Sequence, residues 1–271
     1  MYLMKSTLDF KLLDDIRQIK PLVHHITNNV TINDCANITL CLGALPVMAN
    51  SIDEVEEIVE NADSLVLNMG TLSNEQYNAI LLAGEKANQK NIPIVLDPVG
   101  VGATTSRTKK ILELLEIIKP TVIKGNAAEI SILSGQYGVL KGIESQGIYN
   151  NIIPSAEKLA NSYNCIVAVT GQNDIITNGQ RTFIIENGHW LMGKIIGTGC
   201  MAASVIGCFM ATGIKTLEAC TCALSAYGIS AELASIRDDV RGPGSFKSAL
   251  MDEAYNLQVE TINQLARIRK V

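Results

Sequence analysis

The sequence has no block of consecutive Lys and Arg residues, and its formal net charge at pH 7 is −5. Nucleic acids and anionic membrane surfaces attract proteins through such basic clusters, so we expect neither as a partner. Charged residues are also scarce, at 18% of the chain, whereas hydrophobic residues make up 47%. This balance excludes a disordered chain and favours a large buried core, so a small molecule is the expected ligand.

The cysteines lack the paired Cys-x-x-Cys spacing that holds zinc, and their number, seven, is odd. Most of them fall within apolar helical or strand patterns, which is typical of reduced, buried thiols. The N-terminal stretch also lacks a hydrophobic signal region and a small-residue cleavage site, so we expect a cytoplasmic protein. The seven are Cys35, Cys41, Cys165, Cys200, Cys208, Cys220 and Cys222.

One stretch is free enough of charge to be weighed as a membrane span, namely residues 195–214 between Lys194 and Lys215. The stretch begins with a Gly-Thr-Gly turn, and its interior is rich in Ala, Ser and Gly rather than Leu. A second helix of small residues is predicted at 216–236. We therefore favour two closely packed helices, in a core or at a subunit contact, over a membrane span.

Short β-branched runs alternate with helical stretches through most of the chain, which is typical of βαβ units and a mostly parallel sheet. We expect a single α/β domain over residues 1–271. The predicted strands are Leu22–Ile26, Pro46–Ala49, Ser64–Asn68, Pro93–Asp97, Thr121–Lys124 and Ile166–Thr170. The predicted helices are 31–43, 53–61, 74–90, 105–118, 126–134 and 154–163.

The pattern changes in the last third of the chain. Residues 174–187 contain two alternating runs joined by Asn178-Gly179, a strong signal for a β-hairpin. From Gly199 onward we predict helices to the end of the chain. A polar stretch at 135–151 is predicted to be a surface loop.

Polar residues stand at the ends of successive predicted strands, and these ends form the ligand-binding edge of an open parallel sheet. Asp97 ends one strand, Lys124 ends the next, and Thr170 ends a third. Asn126 and Glu129 begin the helix after Lys124. Two carboxylates, a cation and a hydroxyl at one edge favour phosphoryl transfer from a magnesium nucleotide.

The sequence Gly197-Thr198-Gly199-Cys200 places a glycine turn at the start of a helix. Backbone N–H groups at such a start form a concave anion site that the helix dipole reinforces. This turn adds a phosphate cradle to the residues at the strand ends.

Each of these features also has a purely structural interpretation. Asp97 could only terminate a strand before proline, and Lys124 could be a surface charge. Asn126 and Glu129 could form a helix capping box. The glycines could be present only because the backbone turn requires them. Their joint occurrence at successive strand ends favours the functional interpretation.

Six motifs, taken in order, resemble the hydroxyethylthiazole kinase family of the ribokinase-like superfamily. They are HHITN (24–28), GALPVMA (43–49), LDPVGVGAT (96–104), KGNAAEI (124–130), VTGQND (169–174) and GTGCMAAS (197–204). The resemblance runs from about residue 21 to the end of the chain. It implies a doubly wound ribokinase-like fold that phosphorylates the primary hydroxyl of 4-methyl-5-(2-hydroxyethyl)thiazole with magnesium ATP, in thiamine biosynthesis or salvage. It also implies a homotrimer with active sites between subunits.

The resemblance also assigns roles by position. It assigns Lys124 and Thr170 to the binding of ATP. We expect Asn126 and Gly199 to contact the phosphates beside them. The residues assigned to the thiazole are Met48, Gly197 and Asn28. Those assigned to the metal and to catalysis are Asp97 and Glu129.

Cys200 stands where most ribokinase-like enzymes have an aspartate base. It could be a covalent nucleophile, a weak general base or a small spectator, and we expect substitution by alanine to leave measurable activity. The chain departs from the family's usual pattern at Lys124, where arginine is usual, and at His25, where asparagine is usual. We interpret His25, together with His24 and His189, as hydrogen-bonded structural residues.

Two other functions stay open at this point. One is another enzyme of the ribokinase-like superfamily, such as a kinase of the pyrimidine or pyridoxal type or the nucleotide-dependent dehydratase that repairs hydrated nicotinamide cofactors. The other is a non-catalytic regulatory subunit that binds a nucleotide or thiazole.

Overall fold

Runs of aliphatic and β-branched residues form one mixed sheet in the computed structural model, which describes residues 8–135, 149–214 and 216–271. Its strands are β1 Leu22–Ile26, β2 Leu45–Val47, β3 Ser64–Asn68, β4 Ile94–Asp97, β5 Val122–Asn126, β6 Ile166–Thr170, β7 Asp174–Thr177, β8 Thr182–Ile185 and β9 Ile268–Lys270. The helices are α1 Leu12–Ile19, α2 Ile32–Cys41, α3 Val55–Asn61, α4 Asn74–Gln89, α5 Thr105–Ile117, α6 Ala127–Leu133, α7 Tyr149–Tyr163, α8 Thr198–Met210, α9 Leu217–Ser235, α10 Pro243–Asn256 and α11 Val259–Leu265.

The strand order is β2-β1-β3-β4-β5-β6-β7-β8-β9. The pairs from β2 to β6 are parallel, and the pairs from β6 to β9 are antiparallel. The chain moves outward from β1 to β2 and then returns to β3 on the other side of β1. This reversal of direction opens a crevice between β1 and β3 at their carboxyl ends, where doubly wound sheets bind their ligands.

Alternating strand residues supply two hydrophobic clusters, one on each face of the sheet. Val23, Val66 and Val95 contribute to the first cluster, which packs against α1, α2 and α8–α10. Leu65 and Leu67 contribute to the second cluster, under α3–α7. Helices therefore cover both faces, which confirms the predicted doubly wound α/β fold.

Two helices of small residues, α8 and α9, pack against one another and are almost wholly buried. Gly207 of α8 lies directly on the sheet, since a Cβ added there would stand 2.6 Å from Val66 Cγ2. Among the described residues, no helix combines the length and the hydropathy that a membrane crossing requires. The interpretation of 195–214 as a turn and a packed core helix is therefore confirmed.

The predicted strands and the hairpin at Asn178-Gly179 are confirmed, but several predicted elements differ in extent from the observed ones. β2 begins at Leu45, whose N–H pairs with Pro21 O, and ends before Met48. β5 continues past Lys124 to Asn126, because Gly125 and Asn126 keep pairing with β6. The helix predicted at 154–163 begins five residues earlier, at Tyr149.

The structure differs from the sequence-based predictions in three other places. The chain is not helical to its end, because β9 pairs with β8 and satisfies backbone groups that an open edge would leave unpaired. The helix α1 was not predicted, although Leu12, Leu13 and Ile16 bury one side of it. Of the loop predicted at 135–151, residues 136–148 lie outside the described residues and 149–151 belong to α7.

Candidate active site

Four strands bring polar side chains to the crevice at the carboxyl edge of the sheet. Asn28 follows β1 by two residues, and Lys124 lies within β5. Asn68 and Asp97 end β3 and β4 and stand opposite one another in the sheet register. Asp97 and Lys124 thus come together as predicted from their positions at strand ends, and Asn28, which only the family resemblance singled out, joins them.

Asp97 and Lys124 form a buried ion pair. Lys124 Nζ lies 3.4 Å from Asp97 Oδ1 and 3.5 Å from Oδ2, and both side chains are almost inaccessible to solvent. Burial raises the pKa of Asp97 to about 6, against the opposing effect of the Lys124 charge. Burial alone would lower the pKa of Lys124, but the charges of Asp97 and Glu129 outweigh it and hold that pKa above its usual value. Lys124 therefore stays protonated at neutral pH, and the surface-charge interpretation of this residue is wrong.

Two asparagine amides connect this ion pair to Cys200. Asn68 Nδ2 donates to Asp97 Oδ2 at 3.0 Å and to Cys200 Sγ at 3.3 Å. Asn28 Nδ2 donates to Asn68 Oδ1 at 3.1 Å and to Cys200 Sγ at 3.3 Å. The Cys200 sulfur therefore accepts two amide N–H groups and is joined to the charged pair through Asn68.

Asn68 is a site residue that the sequence analysis missed. The signal was available, because Asn68 ends a fully buried strand in the same way as Asp97. Its role became visible only when the register placed the two side by side. Asn68 Oδ1 also accepts the Gly70 N–H at 2.9 Å, which fixes the orientation of the amide.

Asn126 and Glu129 form the capping box of α6, as their structural interpretation predicted. Asn126 Oδ1 accepts the Glu129 N–H, and Glu129 Oε2 accepts the Asn126 N–H, both at 2.9 Å. Glu129 Oε1 also accepts the Gly100 N–H at 3.1 Å, in the loop that follows Asp97. The same carboxylate therefore caps a helix and adds negative charge beside Asp97.

The glycine turn at the start of α8 lies against this charged group. Gly197 has φ +102°, a left-handed conformation that favours glycine, and a Cβ there would stand 2.7 Å from Thr31 Cγ2. A Cβ on Gly199 would stand 3.2 Å from Lys124 Nζ. The lysine ammonium thus approaches the positive end of the α8 dipole, and together they form a site suited to an anion.

A cavity of about 750 Å³ opens beside this turn, on the β6 side of the crevice. Thr170 and Gly199 line it, and so do Asp174 and the buried Tyr227. Trp190 stands at the same cavity with 68% of its surface exposed. Thr170 and Gly199, two residues expected to bind ATP, therefore face one space.

Met48 lies on the opposite side of β1, directly after β2 ends. It is half-buried, and the neighbouring Ala49 is buried. Met48 stands outside the hydrogen-bonded network of Asn28, Asn68 and Cys200. The structure thus separates the predicted thiazole wall from the predicted nucleotide residues, with β1 between them.

A profile of the hydroxyethylthiazole kinase family matches residues 13–260. The chain is 53% identical over 254 residues to the hydroxyethylthiazole kinase of Thermoanaerobacter sp. strain X514, which covers 94% of this chain and 97% of that relative. A hydroxyethylthiazole kinase protein from Pyrococcus horikoshii OT3 has a similar structure, with a TM-score of 0.88 and 41% identity. That match covers 97% of this chain and 98% of the other. The chain belongs to the hydroxyethylthiazole kinase family.

Membership of this family confirms the resemblance drawn from the six ordered motifs and makes the chain a kinase-family enzyme. The ribokinase-like fold is confirmed as well. A ribokinase-like superfamily protein from Enterococcus faecalis V583 shares that fold, with a TM-score of 0.63 at 15% identity over 94% of this chain and 98% of the other.

Proposed function

We propose that this chain transfers the γ-phosphoryl group of ATP to the primary hydroxyl of 4-methyl-5-(2-hydroxyethyl)thiazole, in thiamine biosynthesis or salvage. The observation that carries this proposal is the buried Asp97–Lys124 pair, which stands against Gly199 at the first turn of α8. A cation held at a helix N-terminus is the arrangement that stabilises a transferring phosphoryl group.

The nucleotide occupies the cavity between β6 and α9, with its base at the outer end near Trp190. Its phosphates extend inward to Lys124 and Thr170 and to the start of α6 at Asn126. The volume of about 750 Å³ suits a ligand of this size. Lys124 acts there as a point charge in place of the family's usual arginine, so it neutralises phosphate charge without a bidentate contact.

Magnesium accompanies the nucleotide, and Asp97 and Glu129 are the residues that would hold it. No cluster of three or more His, Cys, Asp or Glu side chains suited to a metal occurs in the part of the chain that the structure describes. Mg²⁺ commonly takes one or two carboxylates and completes its shell with phosphates and water, so these two residues fit it. Each Glu129 oxygen accepts one backbone N–H and keeps a second acceptor position. When bound, the metal would neutralise charge on the phosphates.

The thiazole lies on the other side of the crevice, between Met48 and the Gly197 turn, with Asn28 beside it. Its hydroxyl then faces Cys200 and the phosphate cradle. The half-buried thioether of Met48 offers an apolar wall to a heterocycle. In-line attack by the hydroxyl transfers the phosphoryl group directly, while the α8 N–H groups stabilise its charge.

Cys200 acts as a weak base or a spectator, and it forms no covalent intermediate. Its sulfur already accepts two amide N–H groups, from Asn28 and Asn68, which orient it beside the attacking hydroxyl. A loose, metaphosphate-like transition state needs little proton abstraction, so a thiol suffices where relatives of the superfamily carry aspartate.

The enzyme works as a cytoplasmic homotrimer with active sites at subunit interfaces. Large apolar side chains close to the crevice support this assembly, because they are exposed in the single chain. Val30 after β1 is 63% exposed, and Ile196 before the glycine turn is 78% exposed. Contact with a neighbouring subunit would remove these side chains from water.

A coupled ADP-release assay tests the proposed reaction. Purified protein with magnesium ATP is given hydroxyethylthiazole, hydroxymethylpyrimidine, pyridoxal or no acceptor. We expect ADP release that depends on the thiazole alcohol. Release with another acceptor alone would reassign the enzyme within the ribokinase-like kinases. ATP binding without any release would favour a regulatory subunit.

A further inference from the structure

His24 is a fully buried histidine in β1 that the proposed reaction does not use. Its Nε2 lies 2.8 Å from the backbone oxygen of Ala49. A carbonyl oxygen only accepts hydrogen bonds, so Nε2 carries the proton and donates it. Burial lowers the pKa of His24, and the ring is therefore neutral at physiological pH.

The other ring nitrogen of His24, Nδ1, finds no hydrogen-bond partner within the described part of the chain. Nδ1 is buried, and no donor among the described residues reaches it. A buried polar atom without a partner destabilises the folded state, whereas an apolar side chain of similar volume would avoid this cost. Packing alone therefore does not explain why a histidine stands at this position. The hydrogen bond to Ala49 O explains it, because an apolar side chain could not donate that bond.

The hydrogen bond between His24 and Ala49 lies just beyond the end of the pairing between β1 and β2. β2 pairs with β1 only as far as Val47, which stands opposite His24 in the register. Met48 and Ala49 follow outside the ladder, and the backbone must leave the sheet there. The His24 side chain supplies a buried hydrogen bond to this departing segment, two residues past the last ladder pair.

We propose that His24 is a positioning residue, whose Nε2–H holds the backbone at Ala49 and thereby fixes Met48 as the wall of the thiazole site. This inference rests on the proposed function, which gives Met48 its substrate. His24 itself touches neither substrate, so its loss affects binding of the thiazole alcohol and leaves the nucleotide side unchanged.

His25, the next residue, provides a matched control. It is equally buried, but it faces the other side of β1. Its Nδ1 donates to Val23 O at 3.1 Å, and its Nε2 lies 3.2 Å from Ser204 Oγ on α8. The two histidines therefore carry opposite tautomers, and only His24 contacts the segment with Met48.

Three variants separate positioning from packing. His24→Gln keeps an N–H donor near the Nε2 position, His24→Phe keeps the ring volume without a donor, and His25→Asn is the control. We expect His24→Phe to raise the KM for the thiazole alcohol about tenfold, a loss typical of one hydrogen bond, with kcat and the KM for ATP unchanged. His24→Gln should restore the KM to within about threefold, and His25→Asn should leave it unchanged.

Two outcomes would overturn the positioning role. One is an equal rise in KM for His24→Gln and His24→Phe, which would make ring packing the cause. The other is an equal loss for both substrates, which would indicate a general structural effect.

Nitrogen NMR of ¹⁵N-histidine-labelled protein tests the hydrogen bond without any turnover. The chain has three histidines, so single variants assign every signal. We expect His24 to be protonated at Nε2 and His25 at Nδ1. Protonation of His24 at Nδ1 would refute the bond to Ala49. If the wild-type protein does not act on the thiazole alcohol at all, the proposed function fails, and the tautomer still decides the bond.

Discussion

The two halves of the crevice differ in how firmly they are held. On the β1–β5 side, Asp97 and Lys124 are buried, paired and joined through Asn68 to Cys200. On the β6 side, a cavity of about 750 Å³ exposes most of Trp190 to solvent. The closed half holds the charges proposed to stabilise the transferring group, and the open half offers the space that an exchanging nucleotide needs. The preorganised charge and the proposed nucleotide site thus occupy separate parts of one edge.

The largest effect on kcat is expected from a substitution in the closed half, on the β1–β5 side of the crevice. Asp97→Asn leaves the Lys124 charge buried without its counter-ion and removes a carboxylate from the phosphates. We expect kcat to fall about 10³-fold, the upper range for losing one electrostatic contribution, with a much smaller change in thiazole binding.

Asp174→Asn is the matched substitution in the open half, where Asp174 lines the cavity. It should lower kcat by less than about tenfold, because no buried cation among the residues that the structure describes forms a close ion pair with Asp174. Steady-state kinetics with both substrates measures the difference. Equal losses in the two variants would remove the distinction between the halves.

The free energy of unfolding should depend on pH through His25, which links β1 to α8 within the closed half. Burial lowers the pKa of His25 from 6.5 to about 4. The unfolded chain therefore binds the proton more readily, and the stabilising contribution is fully present above about pH 6.5 and lost as the pH falls to about 4. The difference in pKa between the unfolded and the folded chain corresponds to about 3 kcal/mol of the free energy of unfolding.

Urea unfolding at pH 7 and pH 4.5 measures that contribution. The wild type should lose more stability between the two pH values than His25→Asn, which has no ring to protonate. Parallel losses in the two proteins would show that His25 does not contribute to the pH dependence.

A smaller effect is expected at Cys200, although it touches both asparagines of the closed half. Cys200→Ala should retain measurable kinase activity, because general-base help accounts for at most about 10²–10⁴-fold and a loose transition state uses little of it. Cys200→Asp should match or exceed the wild type. A folded, ATP-binding Cys200→Ala protein whose activity has fallen by more than about 10⁴-fold would contradict this role.

The smallest effect is a spectroscopic one in the open half. Trp190 is the single tryptophan of the chain, so its fluorescence reports on the cavity alone. Addition of magnesium ATP should change its emission, whereas the thiazole alcohol alone should not. An unchanged spectrum at saturating ATP would remove the nucleotide base from this end of the cavity.

The rule that ligands bind at strand ends was enough to predict the charged part of the site. Asp97, Lys124 and Thr170 end three of the predicted strands, and the structure places each at or near the carboxyl end of its strand. The same rule would have found Asn68. It was missed because an amide carries no obvious chemistry until its hydrogen-bond partners are known.

His24 shows a different limit. A histidine in a buried strand is correctly interpreted from sequence as hydrogen-bonded, but its partner, Ala49, lies 25 residues away in the chain. The local sequence pattern around His24 does not predict a hydrogen bond to Ala49. It depends on how far β2 follows β1 before the chain departs, and that extent was itself predicted too long, to Ala49 instead of Val47.

The sequence by itself determined the alternation of strands and helices, the residues at the strand ends and the family, because these depend on local periodicity and on the order of motifs. The tertiary structure alone decided the strand order, the Asp97–Lys124 pair, the amide bridge to Cys200 and the edge strand β9. Those features join residues distant in the chain, and their energies exist only after burial has removed water and fixed the register.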